Sequence, residues 1–183
     1  MSPDKKKYLM TAIILGAIAM SSGLLIGGAH LITKDPIAQN EINKINSGLG
    51  EIYEQKVTVE KDGDITAEQR KENELKFVEH IYYINDENNN SIGRAFKTSG
   101  SNSYGKITLI IGFDNNAVYK GLSIIVNEQS FASTLVDEYI TPIEEAEDKD
   151  RAIADVTCGA TYGAKLVRDM INNAGDAFNK IKI

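Results

Sequence analysis

The sequence has no Trp, one Cys, two His and three Pro in 183 residues. The single cysteine, Cys158, excludes an internal disulfide. His30 and His80 are far apart and have only that thiol to join them, so no zinc-type Cys/His spacing exists. The scarcity of histidine also removes the usual general base. His80 falls in an expected strand with no obvious nucleophile beside it, so no catalytic triad is expected. Basic residues are outnumbered, 20 Lys and Arg against 26 Asp and Glu, for a net charge of −6. A nucleic-acid phosphate backbone selects basic faces, so nucleic acid is not an expected partner. The chain has no internal repeat, and the lack of Trp and Pro sets no functional limit.

Charge is missing altogether from residues 8–33 (YLMTAIILGAIAMSSGLLIGGAHLIT). A helix needs about 20 apolar residues to cross a bilayer, and this run exceeds that. A cleaved signal peptide is the alternative, with Gly27 and Ala29 as cleavage-site residues. Its apolar region usually spans about 7–15 residues, so a retained transmembrane anchor is expected. Lys5, Lys6 and Lys7 precede the run and only Lys34 follows closely. The positive-inside rule then makes residues 1–7 cytoplasmic and puts residues 35–183 outside. Gly23 with Gly27, and Ala12 with Gly16, are small-residue pairs that let a second membrane helix approach closely. His30 is expected at the membrane interface.

Residues 34–59 read as a juxtamembrane helix and linker. Asp35-Pro36 resembles a helix start, Ile37, Ile42, Ile45 and Leu49 recur at helical spacing, and Gly48 or Gly50 closes the segment. Residues 60–183 read as one extracytoplasmic domain. Its first part, 60–76, is charged and turn-rich, a surface excursion with a helical turn from Thr66. Residues 77–84, 92–98, 106–113 and 117–127 are rich in β-branched and aromatic residues and are separated by polar, Asn- and Ser-rich loops. They predict an antiparallel meander, with Gly121 at a bulge. Residues 128–140 turn into a helical pattern that Thr141-Pro142 is expected to stop. Leu166/Val167, Met170/Ile171, Ala174 and Phe178 give a terminal helix one apolar face. The fold class is α+β: an antiparallel sheet packed with helices, preceded by one N-terminal transmembrane helix.

Just before that last helix stands 155–161 (DVTCGAT), followed by Tyr162-Gly163. It sets a hydroxyl, Thr161, two residues past a glycine at a helix start. Unpaired N–H groups and the positive end of the macrodipole make such a start a natural seat for phosphate. Gly159 and Ala160 remove bulk there. Read alone, Thr161 is a capping residue and Cys158 a small buried hydrophobe. Tyr104-Gly105 reads alone as a strand entry, and Tyr162 as packing or as a ring edge beside a ligand.

Asp155-x-x-Cys158-Gly159-Ala160-Thr161 resembles the flavinylation motif of FMN-binding domains, Asp-x-x-(Ser/Thr)-Gly-Ala-Thr. With one N-terminal anchor, Tyr-Gly before a long hairpin and the motif ahead of the last helix, the chain is similar to the G subunit of the Rnf-type ion-translocating ferredoxin:NAD oxidoreductase. The C subunit of the sodium-pumping NADH:quinone oxidoreductase shares that plan. The resemblance implies FMN joined to Thr161 through a phosphodiester, installed by a flavin transferase. It implies that Asp155 serves transferase recognition, and that Cys158, Gly159, Ala160, Tyr104 and Gly105 border the cofactor. Cys158 stands where the family has Ser or Thr. The family's Glu-Thr-Pro-Gly-Leu-Gly loop has its nearest counterpart in 129–134 (QSFAST), which adds Gln129 and Ser130 to the cofactor-binding set. No catalytic or metal-ligating residue is implied. The implied role is electron transfer within a redox-driven ion pump, beside other membrane subunits. A membrane-anchored flavin sensor is the alternative, and a pseudopilin-like structural protein leaves the motif unexplained.

Overall fold

In the computed structural model, residues 3–181 are described, without side chains for 3–4, 26–38 and 61–62. The chain divides into two compact units, Met1–Asn43 and Lys44–Ile183. Helix α1 (Pro3–Tyr53) supplies the described residues of the first unit and enters the second. Within it, Lys5–Leu25 is a 21-residue stretch of mean hydropathy 1.9, long and apolar enough to cross a membrane. Leu9, Ile13, Ile14, Leu24 and Leu25 are exposed there, and nothing packs within 4 Å of the Cβ positions of Gly16 and Gly23. The expected roles of Gly27, Ala29 and His30 lie outside the described side chains.

Two expectations about α1 are corrected. No new helix begins at Asp35-Pro36, because α1 runs through that point. Neither Gly48 nor Gly50 ends it. The helix stops at Tyr53, where Glu54 takes φ 54°, the left-handed conformation common just past a helix end.

The second unit is built on a five-stranded antiparallel sheet in the order β1-β2-β3-β4-β5. The strands are β1 (Thr58–Asp64), β2 (Val78–Asn85), β3 (Ser91–Asn102), β4 (Gly105–Asp114) and β5 (Tyr119–Asn127). The predicted meander is therefore present, with β3 running on through the expected loop at 99–102. The bulge falls beside Gly121: Gly112 pairs Gly121 while Phe113 pairs Tyr119, so Lys120 is the extra residue. Strand β1 corrects the reading of 60–76 as excursion alone. The helical turn expected from Thr66 is α2 (Ala67–Glu72), held by a capping box between Thr66 and Gln69.

Strand β4 explains its own apolar run. Leu109, Ile111 and Phe113 enter the larger core, while Ile110 enters a second core on the opposite face. A strand covered on both faces has no need of alternation. The larger face is covered by α6 (Thr161–Lys180), whose Ala164, Val167, Met170, Ile171, Ala174 and Phe178 are buried as its periodicity predicts. The second face is covered by the end of α1: Ile45, Leu49, Ile52 and Tyr53 pack with Tyr82, Ile84, Ala95, Ile110 and Ile125. The approach is close: a Cβ at Gly48 would lie 2.5 Å from Ser123 Oγ. The Tyr53 hydroxyl, 3.0 Å from both Arg94 O and Phe113 O, donates to these carbonyls, and burial pushes its phenol well above the usual range.

Between sheet and site lie α3 (Ala132–Leu135), a π-helical turn (Val136–Ile140), α4 (Thr141–Glu145) and α5 (Lys149–Ala154). Pro142 does not stop the helical path as expected. It lies four residues after Glu138, whose carbonyl cannot receive an N–H from a proline. The chain widens by one residue instead, and the Thr141 N–H donates to Val136 O. At the far end of α6, Arg94 stacks 3.8 Å over the Phe178 ring and donates to Phe178 O at 3.3 Å and Ile181 O at 3.4 Å. A cation there complements the negative end of the helix. The positive end faces the 155–161 segment.

Candidate functional site

The start of α6 carries no side-chain cap. Its N-cap is Ala160, its first turn holds no acidic residue, and Thr161 is its first residue. Alanine is a poor N-cap, costing about 1 kcal/mol relative to Ser, Thr, Asn or Asp, so the sequence leaves this helix end open to another anion. The Thr161 hydroxyl is part-buried and donates to Cys158 O at 2.6 Å. That bond closes the turn 158–161 and fixes where Oγ1 points.

Beside this turn is a cavity of about 290 Å³ lined by Tyr104, Gln129, Phe131, Leu135, Gly159, Ala160, Thr161, Tyr162 and Gly163. This lies near the lower end of the size range of small-molecule sites. Three aromatic rings stand at its mouth. Tyr104 lies 5.8 Å from Phe131 and 5.6 Å from Tyr162 between ring centroids, and all three rings are exposed. The rings are inclined to Tyr104 by 58° (Phe131) and 32° (Tyr162), so a planar ring system can stack on one of them and meet the others at an angle. The lining has no His, Asp, Glu, Lys or Arg.

The loops that carry these rings are tied by hydrogen bonds to their backbone. Ser130 N and Ser130 Oγ both donate to Tyr104 O, at 2.8 and 3.1 Å. Gln129 is buried, and its Nε2 donates to Gly105 O. Gly105 has φ 133°, and a Cβ there would overlap Glu128 O, so only glycine fits. Asn102 closes the group from the other side: its Oδ1 accepts from Tyr104 N at 2.8 Å and its Nδ2 donates to Tyr162 O at 3.2 Å.

The sequence-derived residues divide into three sets. Thr161, Ala160, Gly159, Tyr104 and Gln129 meet in the cavity wall. Gly105 and Ser130 lie behind it as anchors of Gln129 and Tyr104. Cys158 is half-buried, packs against the larger core and offers the turn its carbonyl rather than its thiol. Asp155 is exposed and outside the lining. Hydrogen bonds from the Thr157 side chain and backbone hold its carboxyl below the usual carboxylate range.

Sequence reasoning missed Phe131, Leu135, Gly163 and Glu138. Phe131 had one signal, an aromatic inside an otherwise small and polar loop. Gly163 and Leu135 are complementary: a Cβ at Gly163 would lie 3.1 Å from Leu135 Cδ2. Glu138 Oε2 accepts the Gly159 N–H at 2.7 Å, and Tyr139 OH donates to Ile153 O at 2.6 Å. The π-helical turn thus holds the 155–161 segment through one bond to Gly159 within it and one to Ile153 just before it. Burial pushes the Tyr139 phenol well above its ordinary range, so it remains a donor. Among the described residues, no group of three or more His, Cys, Asp or Glu is placed to hold a metal ion.

Comparison with known families places one match on this chain. Residues 1–52 match the family model of the RnfG N-terminal region. The match supports the resemblance to the RnfG subunit and a membrane-associated, single-pass protein. It ends before the sheet and the cavity begin. No curated protein matches the chain.

Proposed function

We propose that this chain is a membrane-anchored electron-transfer subunit that carries FMN joined through a phosphodiester to Thr161. The carrying observation is the placement of one hydroxyl. Thr161 sits in the wall of an aromatic-lined cavity, at an uncapped helix start, between Gly159 and Gly163.

The residues present suit this group. Tyr104, Phe131 and Tyr162 offer faces to an isoalloxazine ring, and the start of α6 favours the phosphate. Gly159 and Gly163 keep the backbone approachable. The flavin supplies electron uptake and release, and the protein supplies position and electrostatics. A lining without an acidic, basic or imidazole side chain fits a carrier with no substrate to protonate. Attachment replaces the Thr161 hydroxyl proton by phosphorus, so the bond to Cys158 O is given up. The phosphorus would come from an activated flavin phosphoanhydride: its P–O–P bond breaks as the threonine ester forms, the second phosphate leaves as a nucleoside monophosphate, and the hydroxyl proton passes to the transferase or solvent. A flavin transferase would catalyse this step, with the exposed Asp155 as its point of recognition.

The match at residues 1–52 supports membership in an ion-translocating ferredoxin:NAD oxidoreductase, beside other membrane subunits. The exposed Gly16 and Gly23 surface of α1 suits close packing against one of them. Lys5, Lys6 and Lys7 support a cytoplasmic N-terminus with the sheet outside.

In-gel ultraviolet fluorescence after denaturation tests the attachment. From cells that express the transferase, the wild-type band should fluoresce and the Thr161→Ala band should be dark. A dark wild-type band sinks the reading. Co-purification with further membrane subunits supports a pump component, whereas an isolated chain contradicts that part.

A further inference from the structure

Glu138 is an unexpected neighbour for a phosphate seat. Its Oε2 accepts the Gly159 N–H at 2.7 Å, two residues before the attachment hydroxyl. It also lies 3.2 Å from where a Gly159 Cβ would stand. It comes from a different element, the wider π-helical turn at Val136–Ile140 that precedes Pro142. The charges nearby include one cation at the cavity wall, Lys165 beside Tyr162. Asp155 accepts from Thr157 N, Arg168 pairs with Asp169 at 2.8 Å, and Lys165 sits 5.9 Å from the Tyr162 ring centroid. The helix start attracts an anion, while the carboxylate beside it repels one.

We infer that Glu138 is a charge filter: it disfavours a free flavin phosphate and tolerates a phosphodiester. The inference rests on the reading of Thr161 as the FMN attachment point. A free phosphate monoester carries about −1.5 to −2 charge at neutral pH, whereas a diester carries a single negative charge. Coulomb repulsion scales with that charge. Glu138 is exposed; for a separation of about one Debye length, ~8 Å, and an effective dielectric between 20 and 80, one extra charge changes affinity by roughly 2- to 30-fold. The filter has two effects. Loose FMN does not occupy the seat and block Thr161 before transfer, and only the attached flavin is retained.

The test uses the full chain in detergent, carrying Thr161→Val and produced without the transferase. FMN and riboflavin are titrated by flavin fluorescence, with Glu138→Gln added or not. Glutamine keeps an acceptor for the Gly159 N–H and removes the charge. The expected result is an FMN affinity about tenfold higher in the Glu138→Gln protein, with riboflavin changed by less than about twofold. Asp137→Asn, the same charge change on the adjacent exposed residue, should leave the FMN-to-riboflavin ratio where it was. Equal FMN affinities with and without Glu138→Gln, including no measurable binding by either, overturn the filter. So does a parallel rise for riboflavin, or an equal gain from Asp137→Asn. A wild-type chain that acquires no flavin when co-expressed with the transferase would instead overturn the attachment reading itself.

Discussion

A chain shortened to begin at residue 60 will not fold, whereas one beginning at Lys44 will give a cooperative unfolding transition. The shorter chain loses Ile45, Leu49, Ile52 and Tyr53, which cover one whole face of the sheet. Leu49 is fully buried, and the other three are nearly so. Burial of each such side chain contributes about 1.5–3 kcal/mol, so the four together contribute roughly 6–12 kcal/mol. That matches the whole net stability of a typical domain, about 5–15 kcal/mol. The cut also removes the first two residues of β1 and uncovers Tyr82, Ile84, Ala95, Ile110 and Ile125. Near-ultraviolet circular dichroism and a thermal melt of the two proteins provide the check. Equal melting temperatures would show that the end of α1 adds nothing to the core.

The second large effect is expected from Gly159→Val. A Cβ there would lie 2.9 Å from Thr134 Cγ2 and 3.2 Å from Glu138 Oε2, and valine adds two more carbons beyond it. The 158–161 turn must move away, the Gly159–Glu138 bond is lost, and the Thr161 hydroxyl shifts with the turn. A misplacement of about 1 Å at a reacting group costs on the order of a hundredfold in rate. Flavin incorporation should therefore fall by at least about tenfold in a fixed co-expression time. The fold should persist, because Gly159 is exposed and outside both cores. Thr161→Ser, which keeps a hydroxyl in an unmoved turn, should still be labelled. Normal labelling of a folded Gly159→Val protein would mean that the turn does not position the hydroxyl.

The parts of the fold that could be read from the sequence are those whose pattern matches their burial. Strands β2 to β5 carry β-branched runs between turn signals, and α6 repeats its apolar residues every three or four positions. Strand β1 has no such pattern. Its sequence, TVEKDGD, looks like a charged loop. It is an edge strand, held by pairing to β2 at Lys61–Tyr83 and Asp62–Tyr82, and charge on an edge discourages further pairing. The end of α1 was hidden for a similar reason. Glycines at 48 and 50 suggested a stop, but Gly48 is there for close contact with Ser123, and a glutamate takes the left-handed position at the true end. Pro142 reads as a stop by local rules. Its actual effect, a π-helical turn, depends on the segment continuing into α4.

The site divides along the same line. Thr161, Gly159 and Ala160 belong to a contiguous motif and were legible together. Tyr104 and Gln129 came from resemblance, and the structure brings both into the cavity wall. Phe131, Leu135 and Gly163 join through contacts between elements. Glu138 reaches the motif from a π-helical turn that lies just ahead of Pro142. Nothing in its local sequence marks it.

The central claim, a flavin covalently held by Thr161, is tested most directly by intact mass followed by peptide mapping. The protein would be purified from membranes of cells that express the transferase. The account predicts an added mass equal to FMN less one water, on the peptide that contains Thr161, and none of it in Thr161→Ala. An unmodified mass for the wild-type chain, or the same adduct mapped to any other residue, would contradict it.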